Sequence, residues 1–250
     1  MVGYNFSMQV HYIKDFEYDT FMIWMMLGFD DPSGVENRAK SMGINVADLK
    51  KISSVEDYKD IKDFLEKLSK KKYQECEDQI DSIIPKYQSE WDKINDRFSS
   101  EIEKITVRKW DHEIYDVVVS PFHPGISTNG GDTLVRSAFE DPKGQTRITA
   151  HEILMSHIWN ILFDKFKESK NDSLMHFWGL NEITTVAILG LEPNINTLWR
   201  EQERGYDNYL RNYPQLKPLM NLLKDIYTNK KDFDEYLQKS VEILNSGEYK

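Results

Sequence analysis

The sequence predicts an α+β fold, mostly helical, with a small, partly antiparallel sheet beside one central helix. Three observations carry that expectation. Apolar residues recur at helical spacing along most of the chain, one β-branched run breaks that rhythm, and clusters of Gly, Pro and Asn bracket a second extended stretch.

Taken in order, residues 21–27 (FMIWMML) form the most apolar early segment. At about a third of a membrane span and following several acidic residues, it reads as a buried segment of a soluble protein rather than as an anchor or signal peptide. Helical spacing follows around Val46, Leu49 and Ile52, and again at Ile61, Phe64, Leu65 and Leu68. Tyr87, Trp91, Ile94, Phe98, Ile102 and Ile105 advance by three or four residues at each step, which predicts one apolar stripe on a single long helix beginning just after Pro85.

The pattern then changes. Residues 114–119 (IYDVVV) are β-branched and bounded by Ser120-Pro121, and read as a strand. Turn formers run from Pro121 through Pro124-Gly125 to Asn129-Gly130-Gly131-Asp132, and residues 133–139 (TLVRSAF) read as a second strand, antiparallel to the first. Asp141-Pro142-Lys143-Gly144 breaks the chain again. Helices are expected over residues 147–166 and 174–189, the latter closed by Gly190 and Pro193, and over 216–227 and 233–244. The resulting layout is a helical N-terminal region, residues 1–106, packed on an α+β core with a helical C-terminal part, residues 107–250.

Composition removes several function classes. With 250 residues, 40% of them hydrophobic, the chain can bury a sizeable core. A formal net charge of -10 opposes nucleic acid and anionic membranes, so neither is an expected partner. The basic run 67–72 sits among many acids and reads as a solvated helix end. Cys76 stands alone, which rules out an internal disulfide or a cysteine zinc cage and fits a reducing, cytoplasmic location. Its acidic neighbours disfavour a nucleophilic thiolate. Neither a Gly-Lys-Ser/Thr phosphate loop nor a Gly-x-Ser-x-Gly elbow is present.

The chemistry-bearing motif is His151-Glu152-Ile153-Leu154-Met155, followed by Asn181-Glu182. In an H-E-x-x-H helix, residues i and i+4 share a face, so two imidazoles can bind one zinc while the intervening glutamate reaches the zinc-bound water. The order of strand, motif helix and later Asn-Glu helix resembles the gluzincins, the thermolysin-like branch of the zincin metallopeptidases, over residues 114–191. That resemblance implies zinc as cofactor, His151 as first ligand, Glu152 as general base and Glu182 as third ligand. It also implies that the strand over 133–139 lines a cleft where an extended peptide substrate or protein partner adds as a further strand.

The departure from the pattern is Met155, a neutral thioether where the second imidazole should stand. His157 is the nearest substitute, although six residues at about 100° each leave it about 120° from His151 around the helix. His123 and His176 are further donors without diagnostic spacing. Two plainer readings stand beside the catalytic one: Thr149 and Glu152 match a capping box, and Met155, Ile158 and Leu162 form a stripe suited to ordinary core.

Lesser signals surround the motif. Tyr206, Tyr209 and Tyr213 are candidates for oxyanion stabilisation or for packing. Arg200 and Arg204 are candidates for binding a substrate carboxylate, but are most simply intrahelical partners of Glu201 and Glu203. His112-Glu113 leads into the first strand and has Asp116 where a second histidine would be needed. Two functions therefore remain: a zinc metallopeptidase-like protein, or a catalytically inactive zincin-like pseudoenzyme that binds a protein partner.

Overall fold

The computed structural model describes residues 8–28, 39–40, 44–45, 47, 58–122, 126–127, 130–166, 174–201, 205–206 and 214–247. Its sheet has four strands in the order β1-β2-β4-β3. Strand β1 (Gln9–Ile13) pairs in parallel with β2 (Ile114–Ser120), which pairs in parallel with β4 (Thr133–Ser137). The two strands expected from the sequence are thus parallel neighbours, with Val117 opposite Leu134, and not an antiparallel pair. The short connection misled that expectation, because parallel neighbours usually need a longer crossover. Here the chain reverses through the two-residue β3 (Ile126–Ser127), which runs antiparallel on the far side of β4, so β4 inserts between the two strands that precede it.

Strand β2 is central and buried on both faces, which explains its unbroken apolar run. Val118 and Val135 meet Met22 of α1 (Phe16–Gly28) on one face. Val10, Tyr12, Tyr115, Val117, Val119 and Leu134 join the main apolar cluster, which draws on the remaining helices. In α2 (Tyr58–Glu75), Ile61 and Leu65 are buried as their spacing requires. Val46, Leu49 and Ile52 lie outside the described residues.

The predicted long helix is two helices. α3 (Glu77–Asp92) begins upstream of Pro85 and contains it, and α4 (Asn95–Thr106) follows a break at Lys93 and Ile94. Asn95 accounts for the break: its side chain accepts from Trp91 Nε1 (2.7 Å) and donates to the Met8 carbonyl (2.8 Å), trading helical continuity for a tie to the start of β1. The stripe survives, with Tyr87, Trp91, Phe98 and Ile102 fully buried. The same region closes one sheet edge, since the Gln88 amide accepts from Tyr12 N (3.0 Å) and donates to the Val10 carbonyl (2.9 Å). The described part of residues 1–106 therefore contributes a strand and shares the core of the rest.

The central helix α5 (Pro142–Phe166) starts five residues earlier than predicted (142 against 147). Asp141-Pro142, read as a chain break, is its start signal: Asp141 Oδ2 accepts from Gly144 N (2.9 Å), and Pro142 sits where no N–H is needed. α6 (Leu174–Leu191) packs against α5 and is buried all round over residues 180–189, as befits a helix enclosed by others. α7 (Pro193–Asn196), α8 (Lys217–Thr228) and α9 (Phe233–Ser246) complete the helical part. Among the described residues, no helix is long and apolar enough to cross a membrane.

Candidate functional site

The N-terminal half of α5 is held by a buried polar chain that joins it to the sheet. Tyr12 on β1 hydrogen-bonds Thr149 Oγ1 (2.8 Å). Thr149 meets the Gln145 oxygen (3.1 Å), which also accepts from Arg136 Nε (3.0 Å), while the Gln145 nitrogen donates to Glu140. Arg136 grips Glu140 through two bonds of 2.7 and 2.8 Å, and Tyr87 Oη donates to the Ser137 and Glu140 carbonyls. Burial pushes the Tyr87 phenol up to about 12, so it remains a donor at neutral pH. Thr149 is thus an interior residue of the helix and not its N-cap, which removes the capping-box role for Glu152.

Two residues further on, the structure brings His151 and Glu182 together. Nε2 of His151 lies 3.2 Å from Glu182 Oε2, with both side chains less than a tenth exposed. The neighbouring Asn181 donates to the Met155 carbonyl (2.8 Å), so the Asn-Glu pair fixes α6 against α5 at the motif itself. Glu152 is half-buried. Met155, 5% exposed, is buried together with Ile158 and Leu162, as their apolar stripe predicts.

His157 does not join them. Its Nδ1 lies 3.2 Å from Asp111 Oδ2, its Nε2 3.4 Å from Thr106 Oγ1, and its ring 4.6 Å from that of Trp110. Burial works to raise the Asp111 carboxyl, but His157, Asn160 and His112 outweigh it, and the group is held below the usual carboxylate range. His112 in turn contacts the Gly130 carbonyl (3.0 Å). His123 and the side chain of His176 lie outside the described residues.

The remaining candidates have structural partners. Arg200 bonds Asp141 at the start of α5 (3.1 Å), a link between distant segments; its expected partner Glu203 lies outside the described residues. Tyr206 is buried and donates to the Met220 carbonyl (3.0 Å), a packing role. Tyr209, Tyr213 and Arg204 lie outside the described residues. Sequence reasoning missed Tyr12, Gln145 and Arg136, for which no local signal exists, because Tyr12 meets Thr149 across 137 positions.

Zinc fits this donor set poorly. Ligands on one tetrahedral zinc lie about 3.4 Å apart, so the separation of His151 and Glu182 suits a shared metal as well as a direct bond. Two donors do not make a zinc site, however, and Met155 supplies only a thioether. Among the described residues, no group of three or more His, Cys, Asp or Glu is placed to hold a metal.

No family model, no curated protein and no solved structure matches the chain.

Proposed function

We propose that the chain is a zincin-like scaffold that binds extended peptides or protein segments without zinc-dependent turnover. The observation that carries this reading is the convergence of His151 and Glu182 at 3.2 Å, with Met155 in place of the second imidazole. Convergence favours a motif inherited as a unit over a chance match. The missing ligand removes the ion that would activate water for Glu152.

The sheet supports the binding half of the proposal. β4 has neighbours on both sides, so the pairing role expected of residues 133–139 passes to β3. The opposite edge is closed by Gln88. A partner strand therefore docks at β3, beside α5.

Metal analysis and peptidase assays test the catalytic half. The parent is expected to hold no stoichiometric zinc, and Met155→His to bind one equivalent. A parent that retains zinc tightly and cleaves peptides, with activity lost in Glu152→Gln, overturns this reading in favour of the peptidase. A Met155→His variant that gains no zinc removes the zincin-like scaffold. For the binding half, random-peptide display is expected to select ligands that slow amide exchange in β3. Protection confined elsewhere, or no ligand at all, removes it.

A further inference from the structure

We infer that the segment received at β3 is basic and carries an aromatic anchor, which seats on Trp159 and Phe163 of α5. This rests on the peptide-binding reading above and specifies the partner that the reading leaves open.

The direction of the elements places the anchor. Arg136, near the end of β4, meets Gln145 in the first turns of α5, whereas the Gly131 carbonyl, just before β4, receives Ser156 Oγ from a later turn. β4 and α5 therefore run in opposite directions, and β3, antiparallel to β4, runs with the helix. Beyond the end of β3 the chain reaches the Gly130 turn and Trp159, whose Cδ1 lies 3.3 Å from the point that a Cβ on Gly130 would occupy. Phe163 follows Trp159 at i+4, so both rings share one side of the helix. Trp159 is half-buried and Phe163 is 57% exposed. A strand added to β3 meets this pair at one of its ends. Rigid aromatic groups of this kind are the residues that dominate the energetics of protein docking.

Charge then selects the segment. The Asn160 amide donates to the Gly130 carbonyl (3.3 Å), and Asp164 follows Asn160 by one helical turn, so Asp164 lies on the turn side of the aromatic pair. Asp132 stands two residues beyond Gly130 on the same flank, and both carboxylates are exposed. Lys165, next to Asp164 in sequence, is committed to Asp234 (2.5 Å). Within a chain of net charge -10, this flank attracts a basic segment and repels an acidic one. The indole face adds a further attraction for a cationic side chain.

The probes are three alternating threonine–valine peptides, titrated calorimetrically into the full chain. Their centres read Lys-Phe-Lys, Lys-Ala-Lys and Glu-Phe-Glu. The first is expected to bind at least about tenfold more tightly than either of the others, the loss typical of removing one docking anchor. Phe163→Ser, at an exposed position, is expected to weaken the first peptide by a similar factor. Asp164→Lys is expected to weaken it and to reduce its salt dependence. Leu222→Ser, equally on the surface but on α8, which packs on α6 and α9, is expected to change nothing. Parent-like affinity in Phe163→Ser or Asp164→Lys, or a glutamate peptide that binds as tightly as the lysine one, overturns the proposal. If the peptides slow amide exchange in β3 without such discrimination, only this inference falls. If none of the three binds, the strand-docking reading falls with it.

Discussion

His151 and His157 stand six positions apart (157 − 151) on one helix, each against an acid at 3.2 Å, and the two pairs are built for different ends. His157 is wholly buried, with both ring nitrogens engaged and one face on Trp110. Its acid, Asp111, comes from the segment between α4 and β2, so the pair fastens that segment to the helix. His151 meets its acid across the α5 and α6 interface, where Asn181 also ties α6 to the Met155 carbonyl. The lesson is that an acid partner does not mark a functional histidine. What surrounds the pair does.

The sharpest way to break the comparison is to remove each pair and measure stability. His157→Ala deletes a fully buried ring and leaves a cavity beside Trp110, with an expected loss of about 3 kcal/mol. The double variant His151→Gln/Glu182→Gln replaces both partners of the pair with neutral groups of similar shape and is expected to cost less than about 1 kcal/mol. Urea midpoints at unchanged slope provide the readout. Equal losses in the two variants would show that the motif pair is structural too.

The next largest effect lies in the turn that supports the His157 side. Gly130 has φ +76°, in the left-handed region, and a Cβ there would fall on Asn160 Oδ1 of α5. Its carbonyl receives His112 and the Asn160 amide (3.3 Å). Gly130→Ala is expected to cost about 2 kcal/mol through backbone strain together with the displaced contact. Adding Asn160→Ala should recover the steric part only. An unchanged thermal midpoint in Gly130→Ala would show that this turn does not brace the helix.

A third carboxylate extends the comparison by lacking a histidine altogether. Asp19 on α1 is buried and accepts from Ser120 Oγ (2.7 Å) and Tyr73 Oη (2.9 Å). Burial, aided by the charge of Asp15, outweighs those two bonds and raises its pKa to about 6. Asp111, with His157, moves the opposite way. The signs follow directly. A carboxyl raised on folding contributes stability that is fully present below its unfolded value, near 3.8, and lost as pH rises through about 6. The Asp111 contribution is instead present above the unfolded value and lost on acidification through its lowered one. Asp19→Asn is therefore expected to gain about 1–2 kcal/mol at pH 7.5 and to flatten the stability profile between pH 4 and 6. A loss at pH 7.5 would mean that the charged form is the favoured one.

How much of this was legible in the sequence follows from the range of each interaction. Helical spacing found the Tyr87 to Ile102 stripe, and β-branching found β2, because both are local. Strand direction was not legible, since it depended on β3 taking the reverse course in two residues. The break at Asn95 depended on a carbonyl 87 positions away. At the site, the pairing of His151 with Glu182 was expected from the resemblance to the gluzincins, whereas His157, kept as the nearest substitute although helix geometry set it about 120° away, pairs with Asp111 instead. Met155 was visible as a departure from the motif, and its burial with Ile158 and Leu162 was legible from the stripe they share.

The smallest expected effect concerns how the chain enters the segment that carries Asp111. Val107 closes α4 with φ 54°, a left-handed conformation that a β-branched residue adopts at a cost of about 1–2 kcal/mol. Its side chain is 78% exposed, so packing does not offset that strain. What holds it there is the far end of the same short segment, where Trp110 and Asp111 are fixed on His157. Val107→Gly removes the strain and loses part of the gain to the added freedom of the unfolded chain. The net expectation is about 0.5 kcal/mol, a rise of about 1–2 °C in thermal midpoint for a chain of this size. In the His157→Ala background the anchor is gone and Val107 can relax, so the same substitution should gain less. Full additivity would show that the strained cap and the buried pair are independent, and that His157 does not set the path of the segment it touches.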